Sequence, residues 1–162
     1  MEKLNIRSDG ENPVAKILSN LAPTPFEYEG IKFASVESAL QGIKFKDENI
    51  QKEVFAMTGL QALKTGRKIT NSIDETKNTK HYYVYWKGKK MPYNGTEHRE
   101  LVLNFIREKI KQNKEVQKAL LDTKDFFIYH DVGEESPNTS LPEKVYIKML
   151  LEERAKLENE NK

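Results

Sequence analysis

The chain has 162 residues, 37% hydrophobic and 32% charged, with a formal net charge of +2. That length fits one domain with a sizeable core, and the near-balance of charge excludes a dedicated nucleic-acid binder with a positive field over its whole surface. The absence of cysteine excludes disulfides, thiolate nucleophiles and cysteine-bound zinc, and His81, His98 and His130 have no metal-ligand spacing, so neither metal nor cofactor is expected.

Residues 1–17 are polar and contain Gly10 and Pro13, which predicts an irregular lead-in. The start lacks the basic-then-apolar layout of a secretory signal, and no apolar run approaches membrane-spanning length, so a cytoplasmic protein is expected. Residues 18–26 carry Pro23 and Pro25 and read as an extended loop, in which Ser19 and Asn20 either close a local turn or face a ligand. Phe26-Glu27-Tyr28 and Ile31-Lys32-Phe33 alternate apolar and polar around Glu29-Gly30, a hairpin signal.

Residues 35–45 organise the rest. Val36, Leu40 and Ile43 stand at i, i+4 and i+7, which predicts a helix, and Glu37, Gln41 and Lys44 repeat that spacing on a neighbouring face. Ser35 as N-cap puts Glu37 in the first turn, where backbone N–H groups and the helix dipole favour its charged form. A row of Glu, Gln and Lys is also what a solvated helix face looks like. The acid and the amine are two turns apart, roughly 10 Å along the axis, a spacing that brackets a ligand better than it forms an ion pair.

A helix is predicted over residues 49–57 with Gly59 as its stop, and another over 60–65 ending at Gly66, next to Arg67. The polar stretch 70–80 reads as a long exposed loop or a poorly formed turn of helix, and the aromatic run 81–86 as a strand. The single tryptophan, Trp86, adjoins the basic turn Lys87-Gly88-Lys89-Lys90 and is either core or a stacking surface. Thr96 caps a scaffold helix whose buried stripe is Leu101, Val102, Phe105, Ile106 and Ile110. A helix over 115–121, a short strand over 126–129 ending at His130-Asp131, and a loop over 131–142 follow. Asp131 is either a turn former or a site residue at the mouth of that loop. A last helix begins near Leu141, and residues 155–162 form a charged tail expected to fray. The predicted architecture is a compact, mainly helical α+β single domain spanning residues 1–162.

Leu18-Ser19-Asn20-Leu21-Ala22-Pro23-Thr24-Pro25-Phe26, then Val36-Glu37-Ser38-Ala39-Leu40-Gln41-Gly42-Ile43-Lys44-Phe45, resembles the opening of the NADAR (YbiA-like) superfamily. Gly66-Arg67 matches a second family position, a tryptophan is found in the Trp86 region, and the run from Glu97-His98 to Lys111-Gln112-Asn113 resembles the family's central helix. The resemblance implies hydrolysis of an N-glycosidic bond to ribose, with Glu37 as base or electrostatic group and Lys44 as the amine. That amine would neutralise phosphate, protonate the leaving nitrogen or capture the opened sugar as a Schiff base. Ser19, Asn20, Gln41, Arg67 and Trp86 are the implied substrate contacts, and Asp131 is an extra candidate by its place at the mouth of the loop. Two substrate classes follow from the resemblance: a small ribosylamino-pyrimidine phosphate of riboflavin synthesis, or ADP-ribosylated guanine in nucleic acid. Trp86 beside Lys87, Lys89 and Lys90 leans toward the second.

Four departures stand out. Ser38 replaces the family's histidine, Leu21 its aromatic residue and Gly42 its alanine. Pro137-Asn138-Thr139-Ser140-Leu141-Pro142 stands where members carry Trp-Gly and Asn-Leu-Gly. The Ser38 change keeps open an alternative, a non-catalytic binder of ADP-ribose or a nucleotide.

Overall fold

The computed structural model describes residues 2–7, 12–131 and 135–161. Residues 8–11, with Gly10 of the expected lead-in, and 132–134 of the expected loop lie outside them, as do Met1 and Lys162. In chain order the elements are β1 (Glu2–Asn5), α1 (Pro13–Leu18), β2 (Phe26–Tyr28), β3 (Ile31–Phe33), α2 (Val36–Gly42), α3 (Glu48–Phe55) and α4 (Gly59–Thr76). Then come β4 (Tyr83–Trp86), β5 (Lys89–Pro92), α5 (Thr96–Gln112), α6 (Lys114–Asp122), β6 (Phe126–Tyr129) and α7 (Glu143–Glu160). The result is the expected mainly helical α+β fold.

Among the described residues the strands form three two-stranded sheets. β2–β3 and β4–β5 are antiparallel hairpins, and β1 pairs parallel with β6. The expected irregular lead-in therefore contains a strand and a short helix. Leu4 is 5% exposed on β1 and Ala15 and Leu18 are buried on α1, so isolated apolar side chains, too few to set a period, anchor both elements. Asn12 caps α1 by accepting from the Val14 N–H at 2.8 Å, with Pro13 at the first helical position.

Phe33 sits at the centre of the core. Its ring lies 5.0 Å from Phe26, 4.6 Å from Phe55, 5.2 Å from Phe105 and 6.0 Å from Trp86, centroid to centroid. α2 runs through this packing, with α3, α4 and α5 around it. Gly42 is where the Phe55 ring meets α2: a Cβ there would stand 2.2 Å from Phe55 Cε1, so the family's alanine cannot be accommodated without moving that ring. The segment after α2 is tied down by the Tyr85 N–H donating to Ile43 O at 2.7 Å, and Gln51 Nε2 reaches Tyr85 O at 2.7 Å.

Ser38 has a structural task. Ser35 Oγ accepts from the Ser38 N–H at 3.1 Å, and Ser38 Oγ accepts from the Ser35 N–H at 3.0 Å, a reciprocal cap with both residues fully buried. Ser35→Ala is expected to destabilise the protein by about 1 kcal/mol, read by urea unfolding.

α4 departs most from expectation. It begins at Gly59, passes through Gly66 and continues across most of the polar stretch to Thr76. Ala62, Gly66 and Ile73 keep a helical spacing and are buried. The hydroxyls of Thr65, Thr70, Ser72 and Thr76 donate back to the carbonyls four residues earlier, so these polar residues are satisfied inside a helix. Further on, Gly95 rather than Thr96 is the N-cap of α5, with no side-chain cap bond. α7 starts at Glu143 and continues past Arg154 to Glu160, because Leu157 packs against the core and Arg154 donates to Thr123 O at 3.2 Å.

Candidate functional site

The row of Glu37, Gln41 and Lys44 is not a solvated face. α4 crosses it, and Gln41 is only 5% exposed. The approach is close because Gly66 has no side chain: a Cβ there would stand 1.8 Å from Gln41 Oε1. Gln41 Nε2 donates to Glu37 Oε1 at 2.8 Å, and Lys44, just beyond the helix end, donates from Nζ to Thr70 Oγ1 at 2.5 Å. Thr70 and Asp74 follow Gly66 at successive turns of α4, so two helices present facing rows of polar groups.

Between the rows lies a cavity of about 250 Å³, lined by Asn20, Glu37, Gln41, Lys44, Thr70 and Asp74, among others. Tyr93 and residues 138–141 form its opposite wall, and His130 and Ser136 complete it. Tyr93 Oη and Asn94 Nδ2 both donate to Asn138 O, at 3.1 and 3.0 Å, and Ser136 Oγ donates to Asp74 Oδ1 at 2.8 Å. The loop that stands where family members carry Trp-Gly thus closes the cavity through its backbone carbonyls and hydroxyls. A larger hollow of about 570 Å³ lies between β6 and α7, but its lining is dominated by apolar side chains such as Phe127, Ile147 and Leu151.

Burial raises the Glu37 carboxyl above its ordinary value, against the opposing pull of the Gln41 hydrogen bond and the Lys44 charge. Burial also lowers the Lys44 amine to about 8, with the Glu37 and Asp74 carboxylates acting in the other direction. Burial thus moves the acid and the amine toward each other. Asn20 Oδ1 and Gln41 Oε1 are buried and accept no hydrogen bond from the described residues, which leaves Asn20 in the cavity wall with an acceptor for a ligand donor.

Of the eight residues expected at a site, Asn20, Glu37, Gln41 and Lys44 are brought together here. Ser19 is buried and closes a local turn, its Oγ accepting from the Leu21 N–H at 3.2 Å. Arg67 is exposed on α4 and does not line the cavity. Trp86 belongs to the aromatic core, stacks on Tyr28 at 5.8 Å and donates from Nε1 to Glu29 Oε2 at 2.9 Å. Asp131 is exposed, and its backbone N–H donates to Asn5 Oδ1 at 2.9 Å, a bond that joins the ends of β1 and β6. Thr70, Asp74, Tyr93, His130 and the loop residues were not expected. Thr70 and Asp74 lie four apart, a signal hidden by reading their stretch as a loop.

Gly66→Ala separates fold from site. The helix gains up to about 1 kcal/mol of propensity, and the displaced Gln41 amide offsets it, so the melting temperature changes little. The Gln41–Glu37 bond is lost, and any activity of the cavity should fall about tenfold or more, checked by parallel melts and assays.

No helix among the described residues is long and apolar enough to cross a membrane, and no group of three or more His, Asp or Glu side chains is placed to hold a metal ion. The fold is similar to that in the NMR structure of the E. coli protein YbiA, with a TM-score of 0.64 and 17% identity, covering 99% of this chain and 87% of that one. It is the fold that the NADAR (YbiA-like) resemblance implies. An uncharacterized 17.1 kDa protein from the Gp30-rIII intergenic region of Enterobacteria phage T4 is 32% identical over 152 residues, 93% of this chain and 95% of the relative. With the model for Bacteriophage protein GP30.3 matched over residues 13–155 and that relative aligned nearly end to end, the chain belongs to the GP30.3 family, built on a YbiA-like fold.

Proposed function

We propose that the protein is a cytoplasmic N-glycoside hydrolase that cleaves a ribosyl C1–N bond. The observation that carries this reading is the Glu37 carboxyl and the Lys44 amine in one cavity, each fixed by a neutral partner, Gln41 and Thr70. Departure of the leaving nitrogen with the bonding pair builds positive charge at C1, which the Glu37 carboxylate stabilises from close range. The Lys44 ammonium gives its proton to that nitrogen. Water adds to C1 and its proton passes to Glu37, so the acid and amine end with exchanged protonation and reset through solvent. Asn20 supplies an acceptor for a sugar hydroxyl.

A cavity of about 250 Å³ suits a ribosyl group with part of its base, leaving the rest of a larger substrate outside. The substrate is an N-ribosyl compound, either ADP-ribosylated guanine in nucleic acid or a ribosylamino-pyrimidine phosphate. Trp86 no longer leans toward the first, since its ring is packed in the core. Side-by-side incubation with both compounds, read by mass for the released base, tests the reading. Release from at least one is expected. Protection from thermal unfolding by either compound without product would mean a binder.

A further inference from the structure

Lys109 lies in the middle of α5, 2% exposed, and among the described residues no carboxylate pairs with it. Among the described residues its side chain makes one hydrogen bond, from Nζ to Ser19 O at 2.8 Å. Burying an ammonium on a single neutral acceptor is far less favourable than burying a hydrocarbon side chain of the same length, and burial lowers this amine to about 7. Packing alone does not account for a lysine here.

The Ser19 carbonyl is the middle one of three. Tyr146 Oη on α7 donates to Leu18 O, Lys109 on α5 to Ser19 O, and the Glu37 N–H of α2 to Asn20 O at 2.9 Å. Beyond the end of α1 these carbonyls have no strand partner; the Ser19 carbonyl also accepts from the Ala22 N–H at 3.1 Å in a local turn, and the donors from three helices tie the segment to the rest of the fold. The strap ends at Asn20, whose Oδ1 is buried without a donor and which shares the cavity wall with Glu37.

We propose that Lys109 is a positioning residue of the cavity: from outside it, Nζ holds the Ser19 carbonyl and so aims the Asn20 side chain at a hydroxyl of the bound sugar. The identity of the ligand rests on the glycosidase reading; the mechanical coupling does not. Asn20 and the Glu37 backbone move together in this account, because the same strap that carries Asn20 accepts from the Glu37 N–H.

That N–H provides a readout independent of activity. A first-turn amide has no intrahelical acceptor, so its protection from hydrogen exchange comes from Asn20 O. In Lys109→Met the Glu37 amide is expected to exchange about tenfold faster or more, while core amides of α5 such as that of Phe105 keep their protection. Unchanged Glu37 exchange, or an equal loss throughout α5, would overturn the proposal. Tyr146→Phe, which removes the neighbouring tether and keeps the ring, is expected to give the same local pattern more weakly, and decides the matter should Lys109→Met not fold.

With an N-ribosyl substrate, Lys109→Met is expected to lower kcat/KM roughly tenfold to a hundredfold, and to cause a clearly smaller further loss in an Asn20→Ala background, which keeps the backbone acceptor of the Glu37 N–H. Losses that multiply would show that Lys109 acts on something other than Asn20 and overturn the proposal. Absence of turnover by the wild-type protein would instead overturn the glycosidase reading, with the exchange measurement still deciding on Lys109.

Discussion

Glu37→Gln is expected to lower kcat/KM on an N-ribosyl substrate by about a hundredfold to ten-thousandfold while leaving the fold intact. Glutamine keeps the shape and the oxygen that accepts from Gln41 Nε2, but it has no charge to place against C1 and cannot take a proton from water. The stability effect has a definite sign. Burial raises the Glu37 pKa in the folded chain above its ordinary 4.5, so between that value and the raised one the folded state binds more protons than the unfolded state. Stability falls as pH rises through that window, and the deficit persists at neutral pH. The variant lacks this deficit, so it should melt at or above the wild-type temperature at pH 7, and its advantage should shrink on acidification. Melts at two pH values, beside an assay of base release, check both halves. Wild-type turnover by Glu37→Gln would remove Glu37 from the chemistry.

Lys44→Gln should cost a similar factor and also change the shape of the pH profile. With Lys44 at about 8, its protonated form is depleted above that pH, so the wild-type rate is expected to fall on an alkaline limb near pH 8. Removing the amine should flatten that limb along with lowering the rate. The linkage runs opposite to that of Glu37. The folded pKa lies below the ordinary 10.5, so the folded chain holds fewer protons between about 8 and 10.5, and stability rises with pH across that interval. The variant should lose this rise, which denaturant titrations at pH 7.5 and 10 would register. A limb near pH 8 that survives in Lys44→Gln would assign it to another group.

The helical row of Glu37, Gln41 and Lys44 was legible because three apolar side chains at helical spacing fixed its phase and Ser35 marked its start. Which face it showed to solvent was not legible. That depends on α4 lying across it, and α4 was hidden because its polar residues satisfy themselves through hydroxyl bonds to preceding carbonyls, leaving a thin apolar stripe of Ala62, Gly66 and Ile73. Gly66 looked like a helix stop, whereas it is the gap that lets Gln41 in. Trp86 illustrates a limit of residue type: the same indole serves as core or as a platform, and only the neighbouring Phe33, Phe55 and Phe105 rings decide. The loop wall at 138–141 carries no periodic signal at all, since its contacts to Tyr93 and Asn94 run largely through backbone carbonyls. Ser38 shows the converse. A departure from the family pattern that put catalysis in question is explained locally by the reciprocal cap with Ser35.

The most direct test of an acid and an amine acting together on a ribosyl group is a mass-resolved incubation of wild type, Glu37→Gln and Lys44→Gln with ADP-ribosylated guanine oligonucleotide and with a ribosylamino-pyrimidine phosphate. The wild-type protein is expected to release free base and ribosyl product in equal amounts from at least one of them, and both variants to release far less. No release by the wild type, or release that neither substitution diminishes, would contradict the account.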